Sequence, residues 1–328
     1  MQLQKPVDSQ NLLVFVTVAE ERNMSNAARK LGLTQPAVSL SVRQMEEQLG
    51  VVLFNRERRP LDLTPAGIAL LNRAVSLLNE MSRLPALVIE ASRGIKPDLR
   101  MGLVDSFAST LGPEFIKRML PHSSTLSVRT GLSPYHGQAL VGRELDLVIS
   151  SEPLVDFDNI SRKRLFSEKL IVITPRSSSQ AVRSIAGLKT LANALPLVRY
   201  NRSSHFGAQI ERFLRRINAR VPVKLETDRA DTVTAMVASG IGWAVTTPLC
   251  LLQGSEYARR VRVHVLSDSH SDRSLYLLGR LNEYDQLMNH SFQVARDLML
   301  DSLPKRLGAI DALLSGVIDI APESDNDA

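Results

Sequence analysis

Two short segments separated by a glycine constrain the first third of the chain more than any other feature. Residues 25–32 are SNAARKLG, and residues 34–50 are TQPAVSLSVRQMEEQLG. Gly32 suits the left-handed end of a helix, and Thr34 suits the N-cap of the next helix, with Pro36 in its first turn. An apolar periodicity over residues 10–21 indicates a further helix before them. The pattern predicts a helix–turn–helix.

The second helix of this pair has one apolar face and one polar face. In the N-terminal half its polar face carries small, uncharged side chains, and the acidic residues Glu46 and Glu47 come only in the later turns. Such a helix can enter a DNA major groove, where Gln pairs with adenine, Arg pairs with guanine, and Ser bonds to bases or phosphates. The residues expected to contact DNA are Gln35, Pro36, Ser39 and Arg43. Arg29 and Lys30 are expected at phosphates, although a solvated face explains them equally well.

An arginine cluster follows the helix pair. Residues 51–54 and 61–63 resemble two short strands, and Arg56, Arg58 and Arg59 lie between them. A basic β-wing beside a recognition helix would contact phosphate or the minor groove. The alternative is a solvated hairpin tip with no partner.

A long helix is predicted from Pro65 to Gly94. Apolar residues recur in alternating steps of four and three, which is the heptad pattern of a coiled coil. This seam predicts dimerisation through Leu70, Ala74, Leu77, Met81, Leu84, Val88 and Ala91. The alternative is that the seam packs only against its own domain. Pro85 falls inside the pattern and is expected to kink or break the helix near residues 81–84.

After Pro97 the pattern changes to strands that alternate with helices. Strand-like runs include LRMGLV, LDLVIS and KLIVITP in a first part, and PLVRY and IGWAVTT in a second part that starts near Arg176. Residues 283–302 form a last amphipathic helix. The arrangement predicts two α/β lobes with parallel sheets and a cleft between them. Ligands of such sheets bind beyond the carboxyl ends of the strands, at helix N-termini.

Composition limits the classes of function. The net charge of +6 permits a polyanionic partner, and the single cysteine, Cys250, excludes an internal disulfide, as in a reducing cytoplasm. No run of 18 or more apolar residues exists, so no membrane span is expected. The six histidines show no close metal-ligand spacing, and no nucleophile elbow or phosphate-binding glycine loop is present. We therefore expect no metal, no cofactor and no catalytic residue.

At this point the residues resemble a known family. AARKLGLTQPAVSLSVRQMEEQLGVVLFNRERRPLDLTPAG, residues 27–67, is similar to the signature of LysR-type transcriptional regulators almost without gaps. A weaker likeness covers residues 98–302, including the ELDLVI and ASGIGWAVTTP runs. Two positions depart from the family pattern. Leu40 stands where the family more often has Arg or Lys, and Arg143 stands where it usually has Gly.

The resemblance implies a winged helix–turn–helix and a two-lobed effector domain like periplasmic binding proteins. It also implies a homodimer or homotetramer on an interrupted palindrome of double-stranded DNA, control by a small effector, and RNA polymerase as a further partner. We expect residues 1–64 to bind DNA, 65–94 to dimerise and 95–305 to bind the effector, followed by a tail at 306–328. Lobe I is expected over about 98–175 and 273–302, and lobe II over about 176–272.

Effector contacts are expected from polar residues that follow the strands. A hydroxyl and free N–H groups at a helix start can hold a small carboxylate, so the effector is expected to be anionic. The candidates are Ser106, Ser133, Ser150, Arg202, Ser203, Ser204 and Thr246. Each has a simpler explanation as a helix cap or turn residue. Trp243 fits a core position better than the cleft, and Cys250 fits a buried structural thiol.

The leading hypothesis is a DNA-binding regulator that responds to a ligand in the cytoplasm. The competing class is an α/β enzyme or solute-binding protein with an accessory helical domain. The arginine wing joined to a heptad helix favours the regulator, because an enzyme would not need either feature.

Overall fold

The computed structural model describes residues 7–55, 60–93, 96–178, 182–219, 221–222, 224–266 and 271–322. Side chains are described for all of these except residues 76, 79–80, 82–83, 85–93 and 315. The chain divides into two compact units, Met1–Ile95 and Lys96–Ala328.

The first unit contains four helices and a small hairpin. These elements are α1 (Ser9–Glu21), α2 (Met24–Leu31), α3 (Gln35–Leu49), β1 (Phe54–Asn55), β2 (Asp62–Leu63) and α4 (Pro65–Arg93). The Asn23 side chain caps α2, and Thr34 caps α3 by accepting a hydrogen bond from the Ala37 N–H. Gly32 and Gly50 end these helices at φ values of 66° and 68°, which suit glycine. The helix–turn–helix expected from the sequence is present.

The core of the first unit fixes how α3 is presented. Phe15 of α1 and Phe54 of β1 have ring centroids 5.4 Å apart. The inward residues of α3, which are Val38, Val42 and Met45, are fully buried against the same core. Burying side chains of this size contributes about 1.5–3 kcal/mol each, so the opposite face of α3 is held towards solvent.

The hairpin is locked to the start of α4. Strands β1 and β2 pair antiparallel, with Phe54 opposite Leu63. The Thr64 hydroxyl donates to the Val52 carbonyl at 2.7 Å and accepts from the Gly67 N–H at 3.1 Å. A Cβ at Gly67 would lie 2.2 Å from the Leu53 carbonyl oxygen, so this contact requires glycine. Helix α4 runs without interruption past Pro85, so the expected break is wrong.

The second unit has two lobes built on mixed sheets. Its strands are β3 (Leu99–Val104), β4 (Leu126–Gly131), β5 (Leu147–Ser150), β6 (Ile160–Lys169), β7 (Ile171–Pro175), β8 (Val198–Tyr200), β9 (Leu225–Thr227), β10 (Ala244–Thr246), β11 (Val261–Val265), β12 (Asp272–Arg280) and β13 (Ile318–Ile320). Its α-helices are α5 (Asp105–Ala108), α6 (Gly112–Met119), α7 (Ser133–Val141), α8 (Ile185–Ala194), α9 (His205–Arg216), α10 (Ala230–Ala238), α11 (Pro248–Gln253), α12 (Ser255–Ala258) and α13 (Asp285–Gly308).

The first lobe is a six-stranded sheet in the order β13-β6-β12-β5-β3-β4. Strands β3, β4 and β5 are parallel, whereas β12 is antiparallel to both β5 and β6. The expectation of parallel sheets is therefore wrong for half of this lobe. It is also wrong for the sheet formed by β7, β10 and β11 in the second lobe, whose strands pair antiparallel. The described residues 306–322 do not form a separate tail either, because α13 continues to Gly308 and β13 pairs with β6 at the sheet edge.

The second lobe contains the sheet β10-β7-β11 and the parallel pair β8-β9. A bridge between Leu197 and Trp243 joins the two. The chain passes between the lobes at Leu170, so β7 belongs to the second lobe and not to the first lobe as the 98–175 boundary implied. The end of β6 and the start of β12 lie side by side at this passage, and Arg273 of β12 lines the space between the lobes.

Candidate functional site

Helix α3 presents a continuous exposed face. Gln35, Pro36 and Arg43 are exposed, and Ser39 is half-buried. The Ser41 hydroxyl bonds to Asn11 at 2.5 Å and is therefore occupied within the unit. Glu46 faces the hairpin, because its Oε1 accepts from the Leu53 N–H at 2.9 Å. The acidic side chain is thus held away from the exposed face, which suits contact with a polyanion.

The basic residues of α2 already have partners. Arg29 bonds to Asn26, and Lys30 forms ion pairs with Glu20 at 3.2 Å and Glu21 at 3.0 Å. Hydrogen bonds to Glu21 and Glu20 raise the pKa of Lys30 above its ordinary value. A phosphate contact by Lys30 would have to replace these exposed pairs, which are weak in water.

Several residues predicted for the wing and the dimer seam lie outside the part of the chain that the structure describes. Arg56, Arg58 and Arg59 lie outside the described residues, as do the side chains of Val88 and Ala91. Within α4, Ala74 is buried and Leu70 packs against the core of the first unit. Leu77, Met81 and Leu84 are about half exposed, at 50%, 45% and 51%. The predicted seam therefore divides into a part that packs inside its own unit and an exposed apolar part.

A cleft that is partly open to solvent lies between the two lobes of the second unit. Both lobes line it: α5 and the start of α7 on one side, and the starts of α9 and α10 with α11 on the other. The lining residues are Val104, Asp105, Ser106, Gly131, Leu132, Ser133, Ser151, Tyr200, Ser204, His205, Phe206, Asp228, Ala230, Cys250, Gln253 and Arg273.

Arg273 lies at the centre of a buried network in this cleft. Its guanidinium pairs with Glu168, with 2.5 Å between Nη2 and Oε1 and a second bond from Nε at 2.8 Å. It also donates to the Cys250 sulfur at 3.2 Å and to the Ser106 hydroxyl at 3.3 Å. Ser106 belongs to the first lobe and Cys250 to the second. One buried side chain therefore bonds to both lobes.

Sequence reasoning missed Arg273, although a signal was present. Arg273, Leu275 and Leu277 alternate along β12, and all three are buried. An arginine on the apolar side of a strand needs a buried partner, because an unpaired charge there is costly. Its partner is 105 residues away in β6, which no local pattern reveals.

Three of the expected effector residues line the cleft: Ser106, Ser133 and Ser204. Their hydroxyls are already used in the structure. Ser133 accepts from the Ser151 N–H at 3.2 Å, and Ser204 caps α9 by accepting from the Gly207 N–H at 2.9 Å. The cap explanation therefore holds for Ser204, whereas Ser106 and Ser133 make no cap bond and their hydroxyls bond to Arg273 and to Ser151.

The other four expected effector residues do not line the cleft. Ser150 lies in the sheet, and its hydroxyl accepts from the Glu152 N–H at 3.0 Å. Arg202 pairs with Glu226 at 3.0 Å, and Ser203 bonds to Asn201. The Thr246 hydroxyl lies 2.8 Å from the hydroxyl of Tyr200, which itself lines the cleft. Turn geometry after β8 directs residues 202 and 203 outwards, which strand order alone did not show.

Three helices of eight or more residues start at the cleft: α7, α9 and α10. Their N-termini carry partial positive charge and favour an anionic group. Two carboxylates, Asp105 and Asp228, also line the cleft, while the charge of Arg273 is balanced by Glu168. Burial raises the pKa of Asp105 above its ordinary value, and the charge of nearby Arg229 offsets only part of this effect. The cleft thus offers sites for both signs of charge.

Trp243 and Cys250 are both buried, as their sequence context indicated. Trp243 is fully buried, does not line the cleft, and donates its indole N–H to the Leu195 carbonyl at 3.0 Å. Cys250 is 2% exposed, and yet its residue forms part of the cleft wall. Among the described residues, no three His, Cys, Asp or Glu side chains are grouped as metal ligands. None of the described helices is long and apolar enough to cross a bilayer.

Two family models match the chain. Residues 9–68 match the bacterial regulatory helix-turn-helix protein of the lysR family, and residues 92–299 match the LysR substrate binding domain. The transcriptional regulator GltR of Bacillus subtilis is 25% identical over 88% of this chain and 98% of its own length. A probable cat1 operon transcriptional activator of Acinetobacter lwoffii is 25% identical over 89% of this chain and 96% of its own length.

Solved structures show the same fold. CbnR in complex with its target DNA has a TM-score of 0.60 at 19% identity, covering 89% of this chain and 99% of that chain. Oxidised OxyR of Corynebacterium glutamicum has a TM-score of 0.51 at 18% identity, covering 93% of this chain and 97% of that one. The chain belongs to the LysR family of DNA-binding transcriptional regulators with an effector-binding domain, and not to a class of enzymes.

Proposed function

We propose that two copies of the chain bind the two halves of an interrupted palindrome in double-stranded DNA, and that a small effector in the interlobe cleft controls the outcome. Transcription by RNA polymerase is the step that is controlled, and the protein acts in the cytoplasm as a homodimer or homotetramer. In each copy Gln35, Pro36, Ser39 and Arg43 face the major groove, and the wing arginines Arg56, Arg58 and Arg59 face the backbone.

The observation that carries the effector proposal is the cleft whose walls come from both lobes. Arg273 connects Ser106 in one lobe to Cys250 in the other, so a ligand that displaces either contact changes how the lobes are held. A ligand can shift such an equilibrium only by its differential affinity for the two arrangements. A cleft whose walls come from both lobes supplies that difference.

The cleft chemistry defines the effector class. An anionic group, such as a carboxylate, fits the N-termini of α7, α9 and α10. The part of the molecule that faces Asp105 and Asp228 is neutral or cationic, because a second anion there would meet two carboxylates. The effector is therefore a small organic molecule with an anionic group, and no other cofactor or metal is needed.

Dimerisation is proposed through the exposed part of the α4 seam. Leu77, Met81 and Leu84 lie on one side of the helix and are about half exposed within one copy of the chain. Covering them in a coiled coil would remove apolar surface from water at about 25 cal/mol per Å². Leu84→Glu is expected to shift sedimentation towards the monomer, whereas Leu49→Glu, an exposed leucine on α3, is not.

A mobility-shift assay with the DNA upstream of its own gene tests the proposal. We expect saturable binding that weakens steeply with salt, by roughly 10³–10⁵ between about 50 and 200 mM if ~6–10 phosphates are contacted. Arg43→Ala should lose ~1–3 kcal/mol on that site if Arg43 contacts a base. Equal affinity for the upstream DNA and for random DNA would contradict the proposal.

The effector part needs a separate measurement. Small carboxylates are added, and their effect on unfolding is monitored by the fluorescence of Trp243, which is the single tryptophan. A ligand at ~100 times its dissociation constant stabilises by about 2.7 kcal/mol. Ser133→Phe, which fills the cleft without adding a second tryptophan, should abolish this shift, and Ser203→Phe, outside the cleft, should not. A shift that survives Ser133→Phe would place the ligand elsewhere.

A further inference from the structure

The N-terminal half of α3 exposes an apolar strip on the face that is otherwise polar. Pro36, Ala37 and Leu40 are all exposed, and Leu40 is exposed over 56% of its surface. Residues at spacings of three and four lie on one side of a helix, so Leu40 lies directly beside Pro36 and Ala37. One turn later the same side carries Arg43 and Gln44, which are also exposed.

The surroundings of Leu40 distinguish it from an ordinary exposed leucine. It lies at the middle of the exposed face of the recognition helix, between the residues proposed to contact DNA at either end. Of the two acidic residues of α3, Glu46 is turned towards the hairpin, where it accepts from the Leu53 N–H, and Glu47 is exposed two turns beyond Leu40. The strip itself faces outwards next to a guanidinium and an amide, which suits the edge of a nucleic acid.

The major groove offers one kind of apolar group to such a side chain. Base edges there present donors and acceptors, except for the C5-methyl group of thymine. A leucine at this position cannot hydrogen-bond to guanine or adenine, and it would leave their polar atoms without a partner. We propose that Leu40 contacts the C5-methyl of one thymine in each half-site, and so makes this chain prefer T at that position.

This proposal rests on the proposed placement of α3 in the major groove, and it specifies the base that one residue selects. The magnitude follows from one methyl group per half-site. Removing a buried group of that size weakens binding about fourfold, which corresponds to about 0.8 kcal/mol, and removing one from each half-site weakens it about 15-fold. The helix itself does not depend on Leu40, because alanine has a higher helix propensity than leucine.

The test replaces thymine by uracil, which lacks only the methyl group. The upstream site is first located by footprinting, and each thymine is then exchanged for uracil in both half-sites, one position at a time. Affinity is measured with the full-length protein by fluorescence anisotropy. We expect one symmetric pair of positions at which uracil weakens wild-type binding about 15-fold. The Leu40→Ala protein should bind the thymine and uracil duplexes equally at that pair.

Leu49→Ala is the matched control. Leu49 is also exposed on α3, but nine residues further on, which places it about 13 Å along the axis and on the opposite side. This variant should keep the wild-type preference for thymine over uracil. Sedimentation of Leu40→Ala should match that of the wild type, because a change of oligomeric state would show that Leu40 contacts another copy of the protein.

Two results would overturn the proposal while leaving DNA binding intact. One is equal affinity of the wild type for all uracil-substituted duplexes. The other is a thymine preference that persists unchanged in Leu40→Ala. A protein that prefers no site over random DNA would instead contradict the proposed operator binding itself, together with this inference.

Discussion

The buried pair of Arg273 and Glu168 should hold the second unit together. Their side chains are 5% and 0% exposed, so bulk solvent has little access to replace a lost partner. Arg273→Met removes both bonds to Glu168, and the carboxylate then keeps only the Leu249 N–H at 2.8 Å. Leaving one charge of a buried pair without its partner costs about 3–5 kcal/mol, so we expect this loss in the free energy of unfolding.

A double-mutant cycle separates the pair from its surroundings. Glu168→Gln removes the charge but keeps an oxygen that can accept from the Leu249 N–H. On its own it leaves the guanidinium unpaired, and it should also cost about 3–5 kcal/mol. The double variant has neither charge and should lie much closer to the wild type than the sum of the two losses. The coupling should reach at least about 2 kcal/mol.

The assay is urea unfolding followed by Trp243 fluorescence, because Trp243 is fully buried in the same unit. The four proteins are compared at one pH and salt concentration. If the two single losses simply add in the double variant, within about 0.5 kcal/mol, the two charges do not stabilise each other. That result would refute the network drawn from the structure.

Three further predictions concern other parts of the chain. Gly67→Ala should destabilise the first unit by about 1–3 kcal/mol and weaken DNA binding, because the new Cβ would lie 2.2 Å from the Leu53 carbonyl oxygen. Thermal melting followed by circular dichroism measures the stability, and a mobility-shift assay measures the binding. An unchanged melting temperature would contradict the close contact. Arg143 has φ 61° and pairs with Glu283. Both Arg143→Gly and Arg143→Ala lose this pair, but only alanine keeps the strain of the left-handed conformation. In urea unfolding, the free energy of unfolding of Arg143→Gly should therefore be about 1 kcal/mol higher than that of Arg143→Ala. Burial lowers the pKa of His264, and the charge of Arg262 adds to the effect, so the unfolded state binds more protons than the folded state. The free energy of unfolding should therefore fall as the pH drops below about 6.5, and His264→Asn should reduce that pH dependence. An identical pH dependence in both proteins would exclude His264 as a source.

The helix–turn–helix could be predicted from the sequence because its determinants are local. Asn23 and Thr34 cap their helices through side-chain bonds within three residues, and Gly32 and Gly50 end them in the left-handed conformation. These signals do not depend on distant parts of the chain. Arg143 shows the same principle, since its positive φ explains why the family usually has glycine there.

The lobes were harder to predict because their strands pair with strands that are distant in sequence. Strand β6, with the sequence ISRKRLFSEK, carries so many charged residues that its pattern did not indicate a strand. It is stabilised by its neighbours β12 and β13, which lie more than 100 residues further along the chain. Pro85 was expected to kink or break α4, and the helix does not break there, because a proline removes only one hydrogen bond of a helix that is 29 residues long. The kink stays a prediction.

The residues of the cleft also divide into those that local sequence could predict and those that depend on distant parts of the chain. Ser106, Ser133 and Ser204 could be found because each follows a strand, at or near the start of a helix. Ser150 and Thr246 are instead the last residues of β5 and β10, and both are fully buried. Tyr200, Cys250 and Arg273 could not be found from spacing, because they converge from β8, α11 and β12. Their convergence is a property of the topology and not of any local pattern.

A DNase I footprint on the DNA upstream of its own gene tests the central claim most directly. Two copies that each place α3 in a major groove should protect two half-sites related by two-fold symmetry, with centres one or more helical turns apart, or about 34–36 Å per turn. Arg43→Ala should lose both protected regions together. A single protected half-site that remains after Arg43→Ala would contradict the account of a paired reader built on α3.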